Sequence, residues 1–113
     1  MRLLYIAASD PYANQHAQTL LDALLVAASF GAQVSVLFQG HGLLQLMPEQ
    51  DGALLSRRSL GAQLDALPLF DIDAIYVDHA DAQRFGLADT GFEALHADAI
   101  AALIAAHDQV IRL

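Results

Sequence analysis

The sequence of 113 residues contains no cysteine. This absence excludes a disulfide framework, a Cys-ligated zinc site and any thiol or persulfide chemistry carried by the chain itself. Lysine is also missing, and the five cationic residues are all arginines, of which only Arg57 and Arg58 are adjacent. With a formal net charge of −8, the chain lacks the clustered cations that bind phosphate groups. It is therefore predicted to bind neither nucleic acid directly nor an anionic membrane surface.

Long apolar runs are missing as well. The longest uninterrupted one, residues 99–106, is far shorter than a membrane-spanning helix. The first strand-like segment begins at Leu3, which leaves no room for a targeting segment and predicts a cytoplasmic protein. The chain length fits one domain, so residues 1–113 are predicted to form a single domain.

Apolar side chains, in contrast, are abundant. They make up 56% of the residues, against roughly 45–50% in ordinary soluble domains. Because a small domain has proportionally more surface than a large one, this excess favours some apolar side chains facing a partner protein. The alternative is that the many alanines raise the percentage without creating an adhesive surface.

Segments with the pattern of buried strands alternate with segments of helical pattern. Strands are predicted at residues 3–8, 34–38, 72–77 and 109–113, with a weaker fifth within 87–92. The four strong segments are apolar on both faces, as strands are when helices cover both sides of a parallel sheet. The alternation predicts an α/β fold with three α/β/α layers and a mainly parallel sheet of four to five strands.

The predicted helices cover residues 14–30, 57–67 and 93–106, with a single turn or a short helix at 43–47. The first is apolar around most of its circumference and is expected to end at Gly31, a residue suited to a helix C-terminus. Such a helix is expected to pack against a second surface besides the sheet. The last helix is expected to turn a stripe of four residues toward the core, Leu95, Ile100, Leu103 and Ile104.

Two polar segments follow predicted strands at the carboxyl edge of the sheet, where α/β folds bind ligands. Gly40 and Gly42 flank His41 and predict a tight turn with an exposed imidazole. A turn residue or a partner contact is favoured there over a general base or metal ligand. Asp78, His79 and Asp81 could hold a divalent metal or relay a proton. However, aspartate is also a preferred helix N-cap, and capping is the favoured interpretation.

The remaining histidines, His16, His96 and His107, occur singly on predicted helices or at their ends. Neither His-X-His nor His-X-X-X-His spacing is present, so a histidine metal site has no support in the sequence. No metal and no cofactor are predicted.

The ordered segments of the chain resemble the TusC/DsrF family of DsrE-like sulfur-relay proteins. The resemblance includes a Leu-Asp-Ala-Leu-Leu helix at 21–25, a strand ending at Phe38, the turn at 40–42 and the apolar-Gln-Leu segment that follows. It continues through residues 69–73, 84–87 and 110–113. The resemblance implies a DsrE-like fold with a five-stranded parallel sheet over the whole chain.

The same resemblance implies a non-catalytic structural subunit of a TusBCD-like complex. Such complexes are dimers of heterotrimers that take persulfide sulfur from TusA and pass it to TusE, toward 2-thiouridine at the tRNA wobble position. The partners implied are TusB-like and TusD-like subunits, with TusA- and TusE-like carriers as indirect partners. The transferring cysteine belongs to the TusD-type subunit. Its position aligns here with Asp78, which cannot hold a persulfide.

The turn written Gly-Asp-Gly in that family carries His41 here, which is a departure from the pattern. The candidate contacts with sister subunits are Leu20, Leu24, Leu25, His41, Leu43 and Leu44. The competing hypothesis is a small homo-oligomeric α/β enzyme or metal-binding domain that uses Asp78, His79 and His41.

Overall fold

Strands and helices alternate along the described part of the chain. The computed structural model describes residues 1–8, 16–46, 67, 72, 74–87 and 92–113. In chain order the elements are β1 Arg2–Ala7, α1 His16–Ser29, β2 Gln33–Phe38, a 3₁₀ helix Gly40–Leu46, β3 Ala74–Asp78, α2 His79–Arg84, β4 Glu93–Leu95, α3 Ala97–Ala105 and β5 Gln109–Arg112.

The five strands form one sheet in the order β4-β3-β2-β1-β5. Every neighbouring pair is parallel, with Leu4 opposite Ser35 and Asp78 opposite Leu95. A parallel sheet places all strand carboxyl ends at one edge. The residues that follow β2, β3, β4 and β5 therefore lie along a common border, here called the carboxyl edge.

The two faces of the sheet bury different side chains, because successive residues of a strand point to opposite faces. Leu20, Leu21 and Leu24 of α1 pack on one face with Tyr5 and other strand residues. On the other face, Ile100 of α3 packs with a second set, Leu4, Ile6, Leu37 and Leu95. Helices therefore cover both sides, which confirms the predicted α/β/α layers and parallel sheet.

Among the described residues, helix α1 has one buried side and one exposed side. Leu24 has no exposed surface, whereas Val26 is 56% exposed and Phe30, the residue after the helix, is 87% exposed. Gly31 follows with φ of 88°, a conformation that side chains with a Cβ rarely adopt, and its N–H bonds the carbonyl of Ala28. The predicted helix end at Gly31 is confirmed.

A strand lies at Glu93–Leu95, where the sequence predicted the start of a helix, so that predicted helix start is wrong. The weaker strand predicted within residues 87–92 lies outside the described residues except for Leu87 and Phe92, neither of which is in a strand. Glu93–Leu95 pairs with Tyr76–Asp78 of β3, and α3 begins only after His96. Pairing to a neighbouring strand outweighs the local helical pattern over so short a segment.

Other predicted bounds also changed. Leu95 faces the core from β4 and not from a helix, while Ile104 of α3 is 39% exposed and does not belong to the inward stripe. The single turn or short helix predicted at 43–47 is part of the 3₁₀ helix Gly40–Leu46, and Met47 lies outside the described residues. The helix predicted at 57–67 lies outside the described residues except for Leu67, which is fully buried. No helix among the described residues has the length and hydropathy needed to cross a bilayer.

Candidate functional site

The carboxyl edge carries a hydrogen-bonded row of polar side chains that reaches from β5 to α2. Arg112, the last residue of β5, donates from Nη1 to Oε1 of Gln39 at 3.4 Å. Gln39 directly follows β2 and donates in turn from Nε2 to Oδ2 of Asp78 at 3.2 Å. The parallel order of the strands makes this row possible, since it brings residues 39, 78 and 112 to the same border.

Asp78 is the N-cap residue of α2. Its backbone is extended, with φ of −72° and ψ of 119°, and its Oδ1 accepts a hydrogen bond from the backbone N–H of Asp81 at 3.3 Å. This bond satisfies one of the N–H groups that the first turn of a helix leaves free. The favoured interpretation of Asp78 as a helix cap is confirmed, and both carboxylate oxygens are engaged.

Asp81 connects the turn after β2 to α2 through a hydrogen bond. Its Oδ2 accepts a hydrogen bond from the backbone N–H of Gly40 at 2.7 Å, and its Oδ1 lies 3.4 Å from Nη2 of Arg84. Arg84 also lies over the ring of Phe85, 4.7 Å from its centroid. Asp81 thus has a structural role in joining two segments of the carboxyl edge.

The Gly40–Gly42 turn needs both glycines. Gly40 has φ of 56°, in the left-handed region. A Cβ on Gly42 would overlap the carbonyl oxygen of Ala7, because the turn passes directly against the end of β1. His41 lies exposed between them and meets Phe85 edge-on, with ring centroids 5.9 Å apart. The predicted tight turn with an exposed imidazole is confirmed.

Two histidines that are isolated in the sequence meet at this edge. The rings of His79 and His96 lie 4.2 Å apart between centroids and are tilted by 33°. His79 is the first residue of α2, and His96 is the N-cap residue of α3. Their meeting follows from the register of β3 and β4, since each directly follows one of the paired residues Asp78 and Leu95. Without the correct position of β4, no signal in the sequence points to this pair.

His107 has a separate environment at the opposite edge. Its Nδ1 lies 2.7 Å from the carbonyl oxygen of Leu103, and its Nε2 lies 2.9 Å from Oγ of Ser35. Because a carbonyl only accepts, Nδ1 donates to Leu103, and in the neutral imidazole Nε2 then accepts a hydrogen bond from the Ser35 hydroxyl. Both side chains line a cleft of ≈440 Å³ at the amino ends of the strands, together with Arg2 and Gln33.

The predicted contacts with sister subunits divide by burial. Leu20, Leu24 and Leu43 are at most 2% exposed and belong to this chain's own core. Leu25 and Leu44 are half-buried, and His41 is exposed. Leu25, Leu44 and His41 therefore have exposed surface that a partner could contact. The three buried leucines instead stabilise the helices on which these residues lie.

The three residues of the competing hypothesis have different contacts. Asp78 bonds Gln39 and the backbone of Asp81, His79 stacks on His96, and His41 contacts Phe85. Among the residues that the structure describes, no group of three or more His, Asp or Glu side chains is arranged to hold a metal ion. The described residues of this edge offer hydrogen bonds, one ion pair and two imidazole rings in contact.

Comparison with known proteins agrees with the fold and extends over the whole chain. The sequence pattern of the DsrE/DsrF-like family matches residues 1–113. A protein of Pseudomonas aeruginosa named "Protein TusC homolog" is 36% identical over 115 residues, which cover 98% of this chain and 97% of that protein.

Two solved structures share the fold at low sequence identity. The YchN protein of E. coli has a TM-score of 0.80 at 11% identity, covering 100% of this chain and 99% of that chain. A conserved protein of Bacteroides thetaiotaomicron has a TM-score of 0.74 at 12% identity, with coverage of 99% and 94%. On its sequence match from end to end, and in agreement with these folds, the chain belongs to the DsrE/DsrF-like family.

Proposed function

We propose that this chain is a TusC-type subunit of a sulfur-relay complex and that its role there is structural. It joins TusB-like and TusD-like subunits in a dimer of heterotrimers, and the sister subunit's cysteine carries the persulfide. TusA- and TusE-like carriers deliver and collect the sulfur on its way to 2-thiouridine in tRNA. The chain works in the cytoplasm and contacts no nucleic acid directly. The similarity to a TusC homolog over nearly the full length of both proteins supports this proposal.

The hydrogen bonds of Asp78 are the observation that supports the proposed non-catalytic role. This residue occupies the position that resembles the cysteine site of TusD-type relatives, and the chain contains no cysteine. One carboxylate oxygen caps α2 and the other accepts a hydrogen bond from Gln39. A carboxylate used in this way stabilises the edge of the sheet, and its oxygens cannot carry sulfane sulfur.

The exposed side of α1 and the residue that follows it supply the surface for assembly. Val26 and Phe30 are large apolar residues with more than half of their surface exposed. Leu25, half-buried on the same helix, adds to this surface. Side chains of this kind lie in the buried centre of stable protein–protein interfaces, where aromatic residues are enriched. His41 and Leu44 are the corresponding candidates beside the carboxyl edge.

Native mass spectrometry of the chain, alone and co-expressed with TusB-like and TusD-like subunits, tests the assembly. The expected result is a mixed complex with the mass of two heterotrimers. A homo-oligomer that incorporates neither sister would contradict the proposal and would favour the competing hypothesis of a self-sufficient α/β protein.

Transfer of radiolabelled sulfur through the reconstituted complex tests the structural role. We expect transfer from a TusA-like donor to a TusE-like acceptor to require this chain and to persist in Asp78→Asn, which retains a side-chain oxygen to cap α2. If the complex with the Asp78→Asn variant assembles fully but transfers no sulfur, the carboxylate takes part in the chemistry and the non-catalytic role is wrong. Measuring the 2-thiouridine content of tRNA in cells that lack the chain tests whether the sulfur is destined for tRNA.

A further inference from the structure

His79 and His96 form an imidazole pair whose ring nitrogens make no hydrogen bond to any described residue. Each ring instead contacts the other, with centroids 4.2 Å apart. His79 is half-buried and His96 is exposed, so the pair borders solvent. A single histidine at a surface needs no explanation, but the fold brings these two together from separate strand ends.

The spacing of the rings suits a shared metal ion. Zinc and copper bind imidazole nitrogen at about 2.0–2.1 Å, so two nitrogens on a tetrahedral ion lie about 3.4 Å apart. The ring centroids are 4.2 Å apart, and the 33° tilt makes one side of the stack closer than the other. Because the lone pair of each nitrogen lies in the plane of its ring, a shared ion requires both side chains to rotate from this stacked arrangement until one nitrogen of each ring points to it.

The surrounding charges compensate for a cation at this position. Both histidines lie at helix N-termini, where the helix dipole disfavours positive charge. However, Asp78 caps α2, Asp81 lies in its first turn and Asp98 lies in the first turn of α3. These three carboxylates add negative charge at the same helix N-termini, and the chain as a whole carries a formal charge of −8.

We infer that His79 and His96 form a two-histidine site for a divalent transition-metal ion of borderline softness, with Cu²⁺ bound more tightly than Zn²⁺. Imidazole is a preferred ligand of both ions, and the order follows the general series for divalent metals. Water molecules complete the coordination in the isolated chain. This binding activity is separate from the sulfur-relay role, and neither depends on the other.

Calorimetric titration of the metal-free chain with Cu²⁺ and with Zn²⁺ tests the site. One ion binds per chain, and His79→Ala and His96→Ala each weaken binding at least about tenfold, since each removes a direct ligand. His41→Ala is the matched control, because it removes an exposed imidazole from the same edge of the sheet and is expected to retain wild-type affinity. Circular dichroism of each variant confirms that it is folded.

Nuclear magnetic resonance of the ring nitrogens gives a second measurement that needs no variant. Adding substoichiometric Zn²⁺ is expected to shift the signals of His79 and His96 together and to leave those of His107 unchanged. The inference is wrong if neither ion binds at millimolar concentration, if affinity is the same in His79→Ala as in the wild type, or if His41→Ala alone abolishes binding.

Discussion

Gln39 donates a hydrogen bond to Oδ2 of Asp78 at 3.2 Å and so joins the end of β2 to the cap of α2. The oxygen of the same amide accepts a hydrogen bond from Arg112 of β5. The bond between Gln39 and Arg112 therefore connects the ends of β2 and β5, which are not neighbours in the sheet because β1 lies between them. This arrangement gives both carboxylate oxygens of Asp78 a structural role at the end of β3.

Replacing Asp78 tests that structural role. Asp78→Ala removes the acceptor for the backbone N–H of Asp81, and loss of such a cap lowers the free energy of unfolding by about 1 kcal/mol. Asp78→Asn keeps an oxygen for the cap and is expected to lose less. Urea denaturation of the two variants measures the difference. Equal stability of Asp78→Ala and the wild type would show that the cap contributes nothing.

Gly42 should tolerate no side chain. A Cβ at this position overlaps the carbonyl oxygen of Ala7, a backbone atom that moves only if β1 moves. We expect Gly42→Ala to lower the free energy of unfolding by about 3 kcal/mol or more. Gly86→Ala is the control, because a Cβ there meets open space and costs only the strain of its φ of 71°, about 1 kcal/mol. Denaturation curves that rank the two variants in the opposite order would contradict the close approach of turn and strand.

Local pattern in the sequence was sufficient to predict several features of the fold. Strands 34–38 and 109–113, the helix end at Gly31 and the cap at Asp78 each follow from residue types within a few positions, and the structure places them accordingly. The α/β/α layers follow from the same alternation of strands and helices.

What the sequence could not predict depends on pairing between distant segments. Glu93–Leu95 is too short to show an alternating pattern, and it becomes a strand only because β3 offers it an edge. The meeting of His79 with His96 follows from that pairing, and so was missed with it. The bond between Ser35 and His107 likewise joins residues 72 positions apart.

Ser35 and His107 connect β2 to the segment between α3 and β5. Ser35 is only 9% exposed, so its hydroxyl needs a partner inside the protein. His107→Ala removes that partner, and we expect a loss of about 1–2 kcal/mol. In a double-mutant cycle, Ser35→Ala and His107→Ala should show a coupling of about 1 kcal/mol, measured by chemical denaturation. Strict additivity of the two variants would mean that this bond adds no stability.

Tyr5 gives the protein a stability limit at high pH. Burial raises the pKa of its phenol above the ordinary value of 10.0, because the core disfavours the phenolate. The unfolded chain therefore loses this proton first, and the free energy of unfolding falls as the pH rises above about 10. We expect Tyr5→Phe to lose less stability than the wild type as the pH rises through this range. Parallel stability curves for the two proteins would contradict the effect.

Two substitutions, one on α1 and one directly after it, separate folding from assembly. Leu24 has no exposed surface, so Leu24→Asp buries a charge in the core and is expected to yield no soluble folded chain. Phe30 is 87% exposed, so Phe30→Asp should change the free energy of unfolding by less than about 0.5 kcal/mol.

In the presence of TusB-like and TusD-like subunits, however, Phe30→Asp should fail to enter the mixed complex, since it places a charge at an apolar contact. Phe30→Tyr retains the aromatic surface and should assemble like the wild type, as size-exclusion chromatography of the co-expressed subunits can measure. A folded Phe30→Asp chain that assembles normally would exclude this end of α1 from the interface and direct attention to His41 and Leu44.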